Sequence, residues 1–495
     1  MKASVMSIAI KACAWRLQPA PIQAPTPSRA PRLRWLAVLV GAAALGGCAS
    51  FSPDGGFAAV EKLAKDRLGK DLQWARSDAD LDTIAKRVNE LLAKPLTVDD
   101  AVQVALLNNR GLQATFQDLG ITEAEVVQAG RLPNPGFSFG RLKRGDEIEW
   151  ERGLHFNIAR LLALPFIGQM EARRFEQSKA MVAMSMLSLA ADARKAYFNA
   201  LAANEAVRYM RQVKQAADAS AELARRMEQV GNFNKLQRAR EQVFYADASL
   251  NLARAEQAQR ATRERLTRLL GAWGAQSQFT LPERLPDLPK QAIELPDIER
   301  VALSQRLDVQ GAKLAAEQTA RNLGLTRATR FINVLELGVL RNSSNEAPTQ
   351  RGWEIGLELP LFDWGGARVA RAEAVYMQTV HRAAETAINA RSEVREAYTG
   401  YRSAFDIARH HRDEIVPLRQ RIAEENVLRY NGMLIGVFEL LAEARDQISS
   451  VTNAINAQQQ FWLADAALAA SVIGKPSLAI PAGPAITAEP GGAAH

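Results

Sequence analysis

Residues 166 to 230 contain no proline, and residues 365 to 430 contain only Pro417. Both stretches are rich in alanine, arginine, glutamate and glutamine, which favour helix. A helix of ~65 residues is ~100 Å long. That length exceeds the diameter of an ordinary domain of this mass, so these helices must protrude or run in a long bundle. Alanines such as Ala190, Ala193, Ala196, Ala200 and Ala203 fall on several helix faces and let neighbouring axes come close on more than one side. Leu187, Tyr197 and Leu201 supply larger knobs at roughly heptad steps.

The two helical stretches belong to an internal repetition. Val104-Ala105-Leu106 returns as Val301-Ala302-Leu303, and Ala196-Tyr197 returns as Ala397-Tyr398. Gly231 returns as Gly432, and Ala239-Arg240-Glu241-Gln242 returns as Ala444-Arg445-Asp446-Gln447. The offset drifts only from 197 to 205 residues, as small insertions in turns would make it drift. The expected plan is therefore repeat 1 over 98–274 and repeat 2 over 298–474. Each has a helix, a β-hairpin and a long helical hairpin. An N-terminal segment, 48–97, precedes them. The linker 275–297 holds "LPERLPDLPKQAIELPD", which cannot be continuous helix. A Pro-, Ala- and Gly-rich tail, 475–495, follows.

The hairpins pose the question of solvent. In "WEIGLELP", Trp353, Ile355, Leu357 and Leu359 alternate with Glu354, Gly356 and Glu358. Leu335, Leu337 and Val339 oppose Glu336 and Gly338, and Leu154, Phe156 and Ile158 oppose His155 and Asn157. That is strand periodicity. The first hairpin is expected as "PGFSFGRLK" and "GLHFNIARLL" joined by "RGDEIEWE", the second as "FINVLELGVLR" and "RGWEIGLELP" joined by "NSSNEAPT". Soluble sheets would need a second apolar layer, but the remaining amphipathic helices are committed to one another. A bilayer supplies the missing apolar side. Phe137, Trp150, Trp353, Phe362 and Trp364 then suit interfacial girdles. Four strands cannot close a membrane barrel, which takes about eight or more, so several copies must share one. Glu336, Glu354 and Glu358 would face its watery lumen.

The N-terminus reads as a targeting segment, 1–47. Basic residues precede the short apolar run from Leu36 to Leu45, which ends in Gly46-Gly47-Cys48-Ala49-Ser50. This resembles a bacterial lipoprotein signal, with Cys48 acylated and Ala49-Ser50 suiting the outer membrane. Six of the basic residues lie before Cys48. Without them 56 basic residues face 54 acidic ones, so the net charge of +8 is no argument for nucleic-acid binding. Cys13 would leave with the signal, and Cys48 alone forms no disulfide within the chain.

Together, the doubled hairpin-and-long-helix plan, the lipoprotein signal and the glycine turns resemble the TolC-type outer-membrane efflux proteins. More narrowly, they resemble the lipidated outer-membrane factors of tripartite pumps, over essentially all of 48–474. The resemblance implies a mainly helical homotrimer with a 12-stranded β-barrel continued by a 12-helix periplasmic α-barrel. It implies a passive exit duct, not an enzyme, served by a periplasmic adaptor and an inner-membrane pump. The segments 49–96, 275–297 and 475–495 would form an equatorial belt. The tips Gly231, Asn232 and Phe233, and Gly432, Met433 and Leu434, would be exposed and would dock the adaptor. Tyr430 and Glu439 match the family's constriction in spacing. Ala442 replaces its second acid, and Ile435 stands where an arginine partner is found. The alternatives are a lipid-anchored coiled-coil scaffold or a pump adaptor without a pore.

No cofactor or metal site is expected. His410 and His411 are adjacent and point ~100° apart on a helix. Met181, Met184 and Met186 suit helix packing better than copper. No phosphate loop, zinc spacing or Ser/His/Asp arrangement is legible.

Overall fold

The computed structural model of the protein describes residues 50–329, 335–357 and 362–474. Cys48, Glu358 and the tail from 475 lie outside the described residues.

Two helices come first, α1 (Phe57–Leu68) and α2 (Asp78–Leu92). Ser77 and Asp80 form a reciprocal capping box at the start of α2, which satisfies two amides that the helix leaves open. Then follow α3 (Val98–Asn108) and α4 (Arg110–Ala129), separated where the extended backbone of Asn109 caps α4. A hairpin of β1 (Gly136–Arg144) and β2 (Glu147–Asn157) leads into α5 (Ile158–Gln229) and α6 (Lys235–Leu270). The same order then returns. It runs α7 (Ile298–Gln305), α8 (Leu307–Thr329), β3 (Leu335–Ser344), β4 (Gln350–Leu357) and α9 (Gly366–His410). A π turn, His411–Ile415, joins α9 to α10 (Val416–Asn431), and α11 (Val437–Ile473) closes the chain.

The 72 residues of α5 make a rod of ~108 Å. Pro165 falls inside it. The other long stretch is not one uniform helix. Pro417 has no amide to donate to the preceding turn and crowds the carbonyl there, and the helix widens into the π turn just before it.

Three large apolar clusters line the helices, and a fourth, small one joins Val213 and Ala217 of α5 to Ala248 of α6. Tyr197, Phe198 and Leu201 of α5 meet Leu266 and Leu270 of α6 and Leu96 and Val104. Phe116 and Leu119 of α4 meet Met184 and Met186 of α5, so these two methionines are core, while Met181 is exposed. Tyr401 and Phe405 of α9 meet Phe461 of α11 and Ile298 and Ala302 of α7. Trp462 stacks on Phe198 at 5.2 Å between ring centres and joins the halves.

Equivalent joints are tied by different chemistry. The Tyr197 hydroxyl donates to the Leu96 carbonyl at 3.0 Å, whereas the Tyr398 hydroxyl accepts from the Leu295 amide at 3.4 Å. At the α3–α4 joint, Asn108 and Asn109 donate to carbonyls of Leu269, Leu270 and Gly271. At the α7–α8 joint, Arg306 donates to the Ser471 carbonyl. The Pro-rich linker lies against the helices: Pro286 accepts from Trp462 and Gln458, and Leu285 donates to Glu205.

Candidate functional site

All four strands form one antiparallel sheet in the order β1-β2-β3-β4, because β2 of the first hairpin pairs with β3 of the second. The first hairpin differs from the expectation. Arg144 pairs with Glu147, so the turn is only Gly145-Asp146, with Gly145 at φ 59°. The polar "EIEWE" is strand rather than loop, and its Glu147, Glu149 and Glu151 share one face of β2. Ile158 begins α5 instead of ending the strand, because Asn157 caps the helix by accepting from the Arg160 amide. In the second hairpin β3 runs on to Ser344, which shortens the expected "NSSNEAPT" loop.

Register sorts the two faces. Phe137, Leu154, Val339 and Trp353 stand in one row, with Phe156, Leu337 and Ile355 in the next. Phe137 and Trp353 are 69% and 72% exposed, so nothing among the described residues covers this apolar face. Glu336 and Glu354 lie on the other face with Gly136, His155 and Gly338. There His155 Nδ1 lies 3.0 Å from Glu354 Oε1, and the Ser138 hydroxyl lies 3.0 Å from His155 Nε2. This line crosses the sheet from β1 to β4. It exists because Gly338 keeps the gap clear: a Cβ there would sit 2.6 Å from Glu354 Cγ. The three residues are 216 positions apart at the extremes, which is why no short motif reveals them.

The far ends of the helices make two turns of matching geometry. Gly231 takes φ 80°, and the matching left-handed residue in the second turn is Met433 at φ 57°, not Gly432 at φ −80°. The Asn232 amide donates to the Met227 carbonyl and the Leu434 amide to the Arg429 carbonyl, both closing the turn. The turns therefore align at an offset of 202, one residue from the sequence match. The expected exposure of Phe233 is corrected: Phe233 and Ile435 occupy matching places and are both turned inward, 7% and 8% exposed. The exposed apolar side chains of the second turn are Met433 and Leu434, at 93% and 72%, and the first turn exposes Val230 and Leu236. Asn232 is exposed as well.

Tyr430, at the end of α10, and Glu439, in the first turn of α11, are exposed. A charged network lies just beyond Glu439. Arg419 reaches Glu443 at 3.2 Å and Asp446 at 3.3 Å. Arg445 reaches Glu241 of α6 at 2.7 Å, and the Ser220 hydroxyl donates to the same buried carboxylate. The Arg445 guanidinium also lies 4.5 Å from the Phe244 ring centre. Arg445–Glu241 fastens the two helical hairpins together. The sequence showed both residues as part of the internal match, without showing that one half's arginine serves the other half's glutamate.

Among the described residues no group of three or more His, Cys, Asp or Glu could hold a metal ion. His410 pairs with Glu414 at 3.2 Å and makes no such group with His411.

No family model matches the chain. The cobalt-zinc-cadmium resistance protein CzcC of Cupriavidus metallidurans is 24% identical over 316 residues, 61% of this chain and 71% of that protein. The CmeC outer membrane channel of Campylobacter jejuni superposes with a TM-score of 0.66 at 17% identity, covering 85% of this chain and 93% of CmeC. The open-state MtrE outer membrane channel of Neisseria gonorrhoeae gives 0.64 at 18% identity, covering 76% of this chain and 89% of MtrE. With its hairpins merged into one sheet and its long paired helices, the chain has the fold of the TolC-type outer-membrane efflux proteins.

Proposed function

We propose that the protein is the outer-membrane channel of a tripartite efflux system, a passive duct for substrates delivered by an inner-membrane pump through a periplasmic adaptor. One observation carries this reading. A four-stranded sheet has two open edges, one apolar face uncovered among the described residues, and one face mostly of glutamates, glycines, Ser138 and His155, with Leu142 and Leu340 among them. Open edges are costly in lipid. Three copies joined β4 to β1 remove every edge and give twelve strands, with the apolar rows on lipid and Glu336 and Glu354 on water. Glu358 would continue that lumen line.

The repeated element order supports two structural repeats per chain, 98–274 and 298–474, joined by 275–297 and preceded by 48–97. Six helical hairpins would then continue the barrel as a twelve-helix tunnel. Its free tips carry Gly231, Asn232, Gly432, Met433 and Leu434 as the adaptor's docking surface, with Phe233 as the packed base of the first tip. Tyr430 and Glu439 form the aperture, braced by Arg419 and Arg445. Cys48, acylated after removal of 1–47, anchors the protein to the outer membrane. The likeness to a cobalt-zinc-cadmium resistance protein makes divalent cations the first substrates to test.

Particle imaging of the detergent-extracted outer-membrane fraction tests the assembly. The expected result is a three-fold cylinder with a helical barrel of about 100 Å. Monomeric rods would reject the shared barrel and leave a lipid-anchored scaffold. Conductance of Tyr430→Ala and Glu439→Gln channels then tests the aperture, where larger or less cation-selective currents are expected.

A further inference from the structure

The apolar face of the sheet ends in charge. Above the row of Phe137, Leu154, Val339 and Trp353, the next row is Phe139, Arg152, Arg341 and Arg351. Three guanidinium-bearing residues thus sit on adjacent strands ~4.8 Å apart. Arg141 follows one row higher, its guanidinium 5.4 Å from the Trp150 ring centre, and Lys143 one row above that. The strands place no acidic residue on this part of the face. Glu147, Glu149 and Glu151 alternate onto the opposite side. Arg152, Arg341 and Arg351 make no ion pair among the described residues. Like charges directly opposite one another destabilise a sheet, so a row of three lacks a counter-charge.

We infer that this row binds the phosphates of an acylated glycolipid, the bisphosphorylated lipid A that forms the outer leaflet of the outer membrane. The inference rests on the membrane-barrel reading. The row lies between the apolar rows and the hairpin turns, Gly145-Asp146 and Asn345–Thr349, and at the opposite end of the sheet β2 runs directly into α5. With the helices in the periplasm, the arginines stand at the outer leaflet. Arginine pairs with phosphate through two parallel N–H donors, and a phosphomonoester carries about −1.5 to −2 charges. Acyl chains attached to the same headgroup would lie along Leu154, Val339 and Trp353. A phospholipid with one phosphodiester supplies a single charge and matches three aligned cations less well.

The test is native mass spectrometry of the full-length, detergent-solubilised protein with three probes: bisphosphorylated lipid A, the same lipid dephosphorylated, and phosphatidylglycerol. The variants are R152Q/R341Q/R351Q and, on the other face, E147Q/E149Q/E151Q. The arginine triple should lose about 100-fold in lipid A affinity, close to fivefold per arginine. The glutamate triple should bind as the parent does. R152K/R341K/R351K keeps the charge without the paired donors, and should fall between the two. Should R152Q/R341Q/R351Q fail to insert, the single variants R152Q, R341Q and R351Q replace it, each expected to lose about fivefold in lipid A affinity. Parent-like binding by R152Q/R341Q/R351Q, or equal binding by the parent of dephosphorylated lipid or of phosphatidylglycerol, overturns it. Bilayer conductance of the same preparations reports the barrel separately: conducting channels that ignore lipid A phosphates defeat this inference alone.

Discussion

Arg306→Met probes the joint that holds the second half together. Arg306 and Asp308 side chains are 2% and 4% exposed, and Glu393 is 31% exposed. Arg306 donates to Asp308 through Nε at 3.0 Å and Nη2 at 2.6 Å, to Glu393 at 2.9 Å and to the Ser471 carbonyl at 3.0 Å. Burial opposes the charge on Arg306, but the hydrogen bond and charge of Asp308, then those of Glu393, prevail and raise its pKa. The methionine variant leaves Asp308 buried with the Val309 amide at 2.9 Å still donating to it. Stranding one partner of a buried pair costs about 3–5 kcal/mol. Unfolding entropy is ~2.1 cal/mol/K per residue, so over roughly 400 residues the melting midpoint should fall by about 4–6 °C. Circular dichroism of the detergent-solubilised protein at neutral pH reads this directly. Arg306→Met/Asp308→Leu removes both charges and should recover most of the loss. Arg306→Lys should lose part of it, because an ammonium cannot make the paired contact. A shift below 1 °C in the single variant, or a larger loss in the double, would refute the reasoning.

Tyr197 predicts an alkaline transition. Burial, and then the charge of Asp100, push its hydroxyl up to about 12. The folded state therefore keeps the proton longer than the unfolded one. Stability is unaffected below the ordinary tyrosine range and falls as pH rises from 10 towards 12, by up to about 2.7 kcal/mol; Tyr197→Phe should flatten that part of a melting-against-pH curve, and an unchanged slope would assign it elsewhere. At the tip, Met433→Gly removes a left-handed side chain that costs roughly 1–2 kcal/mol, against about 0.4–1 kcal/mol of added chain entropy. Thermal melting should show a variant at least as stable as the parent, and capture of the proposed adaptor should weaken as the 93% exposed side chain is lost; a clear drop in melting midpoint would contradict the strain. In the sheet, Gly338→Ala forces a methyl against Glu354 and His155 and should cost about 1–3 kcal/mol, seen as dissociation of the proposed trimer at lower temperature on unheated gels. Parent-like resistance to heat would mean that the line across the sheet yields freely.

The sequence by itself determined the elements and their order. Absence of proline over 166–230 and period-two alternation around Trp353 are local signals, read from neighbours in the chain. They required long helices and strands with one apolar side. Strand ends were less legible where a polar stretch continued a strand: "EIEWE" looks like a loop until Arg144 is found paired with Glu147. The match of Gly231 to Gly432 failed by one residue for a related reason. Glycine identity is a chemical signal, whereas the left-handed position is set by where each helix ends, and there the second turn accepts Met433. Tertiary structure alone decided which distant groups meet. Ser138, His155 and Glu354 become neighbours only when β2 pairs with β3, and Arg445 finds Glu241 only when two helical hairpins lie side by side. Such contacts depend on register and on helix rotation, which are collective properties of packed elements. One residue of slip turns every strand side chain to the other face, so the row of Arg152, Arg341 and Arg351 is a fact of pairing that no single strand contains.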